Sequence, residues 1–187
     1  TSDLHRSVAR LSTPDGSYCS GALIAPDIVV TCAHFFARHA GARLGVRIDG
    51  SAIAPTSFHV SHGTDIALVR LLHPVDTPVL PLGFEPRPLS RTLTLGFGGK
   101  AQAVHPALVS TSVIADLVVA QRGNKGQTRG LVYTNPPAIK GDSGGPVLAR
   151  GKVIGVQSLI LDPRGVNLRV ATVALWPRGL AQAVRSL

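Results

Sequence analysis

The chain has 187 residues, of which 44% are hydrophobic and 16% charged, and its 19 Lys and Arg against 10 Asp and Glu give a formal net charge of +9. This is enough apolar material for one or two small domains with a core. No run of 18 apolar residues occurs, which argues against a membrane-spanning helix, and the positive charge is spread over single arginines such as Arg38, Arg43, Arg47 and Arg70, without the interleaved aromatics of a nucleic-acid track.

The elements, in chain order, are those of strands. Ser7 to Leu11 alternates and then turns at Thr13-Pro14-Asp15-Gly16. Gly21 to Ile24 and Asp27 to Thr31 are two buried runs around Pro26. Leu44 to Ile48 ends in the turn pair Asp49-Gly50. Ile66 to Leu72 is a buried strand with Arg70 as its odd member. Thr92 to Gly99 closes in glycines, Leu108 to Ala120 alternates again, and Gly130 to Tyr133, Pro146 to Leu148, Val153 to Ser158 and Leu168 to Ala174 complete the series. With 20 Gly and 14 Pro scattered along the chain, this density of short strands predicts a sandwich or a barrel. Aromatics are only 4%, so the core must be built from Val, Leu, Ile and Ala. Only the end reads as a helix: Pro177 can open it, and Leu180, Ala183, Val184 and Leu187 repeat at helical steps. The Pro-rich stretch from Leu82 to Ser90 is the natural connector, which divides the chain into 1–84 and 85–187.

The two cysteines, Cys19 and Cys32, form either one short bridge or a pair of free thiols. A bridge would add about 2–4 kcal/mol and imply an oxidising compartment; the expected location is secreted or periplasmic. There is no Met, so Thr1 is expected to be a processed or trimmed start. No cysteine or histidine spacing suits a metal, and His59 with His62 lacks a third ligand, so neither metal nor cofactor is expected.

The chemistry is concentrated in three segments: Thr31-Cys32-Ala33-His34, Asp65-Ile66-Ala67-Leu68-Val69 and Gly141-Asp142-Ser143-Gly144-Gly145-Pro146. In the order His, Asp, Ser they supply a base, an orienting carboxylate and a nucleophile, the set that acyl transfer requires. Ser143 is the candidate nucleophile, His34 the general base and Asp65 its orienter, with Asp76 as the fallback carboxylate. The glycines around Ser143 allow a tight turn in which the amides of Gly141 and Ser143 point at one spot, an oxyanion hole.

These segments, with Cys19-Ser20-Gly21-Ala22-Leu23-Ile24, Gly96-Phe97-Gly98 and Gly165 to Val170, occur in a fixed order over most of the chain. In them the chain resembles the chymotrypsin/trypsin-like serine proteases, as a compact bacterial member. The resemblance implies two six-stranded antiparallel β-barrels packed face to face, an active site in the cleft between them, a C-terminal helix, and a Cys19–Cys32 bridge flanking the catalytic histidine. It also implies a polypeptide substrate, paired along Val156 to Ile160 and so contacting Ser158, Leu159 and Ile160, with Pro137 and Ala138 at the base of the primary pocket and Lys140 beside it. No aspartate stands at 137 or 138, and Ile160 replaces the glycine usual on the adjacent wall, so a small or medium apolar residue is expected before the scissile bond. A monomer is expected, with a proteinaceous inhibitor or a propeptide as a further partner. Many animal members anchor a newly freed N-terminal amine on the aspartate before the nucleophile. Here only 17 residues separate Thr1 from Cys19, so Asp142 must find another cation, such as Arg129 or Lys140, or a set of N–H donors. Two other functions share these residues: a protease-fold binding module that has lost turnover, and an esterase-like hydrolase.

Overall fold

The computed structural model describes residues 3–61, 63–84, 90–99, 105–121, 124–135, 137–160, 163–176 and 180–186. Strands β1 (Val8–Ser12), β2 (Tyr18–Ala25), β3 (Ile28–Cys32), β4 (Gly45–Ile48), β5 (Ser51–Ile53), β6 (Pro55–Val60) and β7 (Ile66–Leu71) form one antiparallel sheet in the order β5-β4-β1-β2-β3-β7-β6. Asp49 and Gly50 join β4 to β5 with φ of +48° and +80°, the two positive values that a tight hairpin requires. Only Ala54 lies between β5 and β6, although these strands hold opposite edges of the sheet. The sheet therefore curls until its edges meet. Seven strands stand where six were expected, because the extended run breaks before Pro55, which has no N–H to continue a ladder.

Strands β8 (Arg91–Gly96), β9 (His105–Gln121), β10 (Asn124–Asn135), β11 (Pro146–Ala149), β12 (Lys152–Ile160) and β13 (Val170–Leu175) form a closed barrel of six, in the order β10-β13-β12-β11-β8-β9. The chain is thus mostly β, in two curled sheets. Helix α1 (Ala33–Arg38) follows β3, and helix α2 (Leu180–Ser186) closes the chain. The predicted opening of α2 at Pro177 lies outside the described residues, as do residues 85–89 of the connector. Among the described residues, no helix is long and apolar enough to cross a membrane.

Alternation divides the apolar residues between two cores. Leu11, Leu23, Val29, Val46, Ile48 and Val69 fill the interior of the first sheet. Val8, Ala22, Val30 and Leu68 face outward and pack against Leu95, Leu148, Val156 and Trp176 of the second half. Strand β3 is buried at all five positions because both of its faces are covered. Each fully buried Val, Leu or Ile stabilises the fold by roughly 1.5–3 kcal/mol, so this shared core holds the two halves together. Arg70, the odd member of β7, donates to Asp27 at 2.7 Å.

Candidate active site

The pairing of β3 with β7 sets Cys32 opposite Ile66, so the residues that follow β3 and precede β7 meet at one end of the sheet. His34 and Asp65 are those residues. One carboxylate oxygen of Asp65 accepts the backbone N–H of His34 at 2.8 Å, and the other lies 2.8 Å from the ring Nδ1. The same Oδ2 accepts the Ser158 hydroxyl from β12. Asp65 is only 7% exposed, and it is held by these three contacts. Asp76, the fallback, is exposed and forms no hydrogen bond or ion pair with His34.

Burial disfavours a charged His34 ring, but the Asp65 hydrogen bond, the contact with Cys32 and the negative charge of Asp65 together outweigh it and hold its pKa above the ordinary 6.5. Burial likewise pushes Asp65 up, and its contacts with His34 and Ser158 pull it below the usual carboxylate value. The Cys32 sulfur lies 3.8 Å from His34 Nε2.

Ser143 lies in the loop between β10 and β11. Its carbonyl accepts the Ser20 N–H of β2 at 2.8 Å, and its hydroxyl donates to the Ser158 carbonyl at 3.3 Å. Ser158 thus touches Asp65 with its side chain and Ser143 with its backbone. Ser143 and His34 line one cleft of about 640 Å³, together with Tyr18, His39, Lys140 and Gly141. In this resting arrangement the Ser143 hydroxyl is turned to Ser158 and not to the histidine.

The glycines hold the loop against β2. Gly144 has φ +84°, and a Cβ there would lie 2.2 Å from the Ser20 carbonyl oxygen. Gly141 has φ +104°, and a Cβ would lie 2.5 Å from the Tyr18 hydroxyl. The Gly141 carbonyl accepts the Ser20 hydroxyl at 2.8 Å, and that hydroxyl accepts the Phe97 N–H at 2.9 Å. The Lys140 carbonyl accepts the Gly99 N–H at 3.4 Å. In a trans peptide the next N–H points the opposite way, so the Gly141 amide is directed away from Gly99. Among the described residues, neither the Gly141 nor the Ser143 amide has an acceptor.

Asp142 is 5% exposed, and its carboxylate accepts the N–H groups of Gly98 at 2.8 Å and Ile139 at 2.9 Å. Of the two expectations for this group, N–H donors fill the role; Lys140 is exposed and makes no ion pair with it, and the Arg129 side chain lies outside the described residues. Burial raises the Asp142 pKa against the pull of these two donors.

The expected Cys19–Cys32 bridge is not formed; both residues are buried free thiols. The ladder pairs Gly21 with Thr31, a register that offsets the two cysteines by one residue instead of setting them opposite. Contact with Cys19, and then burial, push the Cys32 thiol well up, which keeps it protonated.

Of the residues expected to bind substrate, Lys140 lines the cleft. Pro137, Leu159 and Ile160 are half-buried. Ala138 is buried, donating its N–H to Thr134 Oγ1 at 2.9 Å and accepting from the Asn167 amide at 2.6 Å. Sequence reading missed Ser20 and Tyr18 as supports of the loop, and Ser158 as a donor to Asp65. Ser20 was visible only as part of the Cys19–Ile24 motif, and nothing local announces its partner. Among the described residues, no three His, Cys, Asp or Glu side chains are grouped to hold a metal ion.

Comparison with known proteins agrees with this architecture. The chain is 27% identical to a trypsin of Saccharopolyspora erythraea, over 82% of this chain and 81% of the relative. Its fold superposes on the inactive form of the Rv3671c protease with a TM-score of 0.77, at 20% identity, over 98% of this chain and 90% of that one. The HtrA-type protease AlgW with a tripeptide gives a TM-score of 0.76 at 22% identity, over 99% of this chain and 60% of that one. A family model described as a trypsin-like peptidase domain matches residues 19–156, which is most of the chain. The chain therefore belongs to the trypsin-like peptidase family and is a serine protease.

Proposed function

We propose that the chain is an endopeptidase that cleaves polypeptides through an acyl-enzyme on Ser143. The observation that carries this reading is the double hold of Asp65 on His34, with Ser158 joining that pair to Ser143 in one cleft. His34 takes the Ser143 proton as the hydroxyl attacks the carbonyl, then returns it to the leaving amine. Asp65 holds the ring in the tautomer that keeps the proton on Nδ1 and leaves Nε2 unprotonated, and it stabilises the imidazolium. The amides of Gly141 and Ser143 receive the negative charge that develops on the substrate oxygen. Water then releases the acyl group by the same path in reverse. A fluorophosphonate probe is expected to label Ser143 in the native chain and to fail in His34→Ala. No labelling of the native chain would assign it instead to a binding module without turnover.

The rate is expected to fall as pH drops, since only neutral His34 can accept the proton. Because the Asp65 hydrogen bond and charge, with the Cys32 contact, hold the ring pKa above 6.5, the acid limb of kcat/KM against pH should have its midpoint above that value. A midpoint at or below 6.5 would contradict the Asp65–His34 coupling.

The residue before the scissile bond is small or medium and apolar in this reading. The support is the lack of any acidic side chain at 137 or 138, the Asn167 amide capping the Ala138 carbonyl, and the branched Ile160 on the adjacent segment. Peptides with Ala or Val at that position should be cleaved faster than those with Arg or Phe. A clear Arg preference would refute this assignment.

A further inference from the structure

A second concavity, of about 830 Å³, lies on the outer side of β1, β4 and β5. Three arginines line it, Arg10, Arg43 and Arg47, and no acidic residue does. The β1–β4 ladder sets Arg10 directly opposite Arg47, which brings two cations onto the same face of adjacent strands. Like charges in that position destabilise a sheet. Among the described residues, no carboxylate offsets the repulsion. Asp49 is paired with Arg6 at 3.0 Å, and Asp15 accepts from Thr13 and Ser17 and lies 3.8 Å from His39. Among the described residues, none of the three arginines makes an ion pair. The Nε of Arg10 is buried without an acceptor, while its guanidinium lies 4.3 Å over the Tyr18 ring. A local conflict of this kind, with like charges paired and no carboxylate between them, marks a site that an outside group completes.

The groove and the catalytic cleft are neighbours. Thr13 and Pro14 line the groove, and Asp15 to Tyr18, the rest of the same turn, line the cleft. At about 3.3 Å per residue, a few residues of extended chain cross such a turn. The arginines are distributed along a groove that also presents Leu44, Ile53 and Pro55, a lining suited to a peptide with several carboxylates.

We propose that this groove docks an Asp/Glu-rich segment of the polypeptide substrate. The proposal rests on the proteolytic reading and adds to it a site away from the reacting atoms. Guanidinium groups of Arg10, Arg43 and Arg47 take the carboxylates, and the attraction acts on substrate capture, not on the chemical step.

The test compares quenched fluorescent peptides that share one cleavable core and carry five Glu or five Ser residues at either end. At low salt, one of the two Glu-extended peptides is expected to show a KM about 10-fold below its Ser counterpart, with kcat unchanged. Salt at 0.5 M should erase most of the difference. Arg43→Glu combined with Arg47→Glu should erase it too, while leaving cleavage of the unextended core as in the native chain; both side chains are exposed. Fluorescence anisotropy of a labelled Glu peptide reports docking without catalysis. An uncleaved core would therefore count against the proteolytic reading alone. Equal KM for the Glu and Ser extensions, or a Glu preference that survives the double substitution, overturns the proposal. So does binding of anionic phosphatidylglycerol vesicles without binding of the peptide, which would assign the face to a lipid surface.

Discussion

Asp65→Asn should lower kcat by about 10⁴-fold while the protein stays folded. The carboxamide has the same shape, and its oxygen can still accept the His34 backbone N–H that Asp65 Oδ1 accepts at 2.8 Å. The other position would carry an NH₂ group facing His34 Nδ1 and the Ser158 hydroxyl. An NH₂ donor there demands a ring nitrogen that accepts, so the proton moves to Nε2. In the proposed mechanism Nε2 must receive the Ser143 proton, and in that tautomer it cannot. The loss of the Asp65 hydrogen-bond acceptor and negative charge should also move the acid limb of the pH–rate profile downward, because they, together with the Cys32 contact, hold the His34 pKa above 6.5. Steady-state kinetics on a peptide, with a thermal melt of the same preparation, checks both points. A kcat within about 10-fold of the native value would remove Asp65 from the proposed role.

Gly141→Ala should lower kcat by about 10²–10³-fold, the range for loss of one oxyanion donor. The added methyl would lie 2.5 Å from the Tyr18 hydroxyl and 2.7 Å from the ring carbon that bears it. Tyr18 is not free to swing aside, because its hydroxyl donates to the Phe97 carbonyl at 2.8 Å. The backbone at φ +104° is strained for any residue with a Cβ. The loop must then rotate, and the Gly141 amide turns with it. Ser20→Ala is the milder counterpart. It leaves the buried Phe97 N–H and Gly141 carbonyl each without a partner, at about 1–3 kcal/mol apiece, and a loop that relaxes to recover them loses about 10-fold in kcat. KM should change little in either variant, since the affected donor acts on charge that appears only during reaction. A native kcat in Gly141→Ala would count against the proposed hole.

The residues of the proposed mechanism were visible as candidates because each sits in a short motif whose chemistry is local. The all-β class was legible because alternation and turn residues are local as well, as in β1 and in the Asp49-Gly50 hairpin, whereas the division into two sheets came from the family resemblance. Other features were not. The separate β5 and β6 depend on where the run breaks around Ala54, and that stretch has weak alternation. Helix α1 has only six residues, too few to display a helical period. The family resemblance implied a bridge between the cysteines, but the register of β2 on β3 leaves the two thiols offset.

The amino-acid sequence by itself carried the family motifs, the candidate His, Asp and Ser of the proposed acyl transfer, and the alternation that makes the chain mostly β. Only the tertiary structure decided how those residues are held. Ser20 is 121 positions from Gly141, the Asp142 carboxylate draws one of its donors from 44 positions away, and Ser158 reaches Asp65 across 93. Arg10 and Arg47 likewise become a cluster only when β1 pairs with β4. Such contacts have no local period or motif, because they arise where separate strands happen to end once the shared apolar core has brought the two halves together.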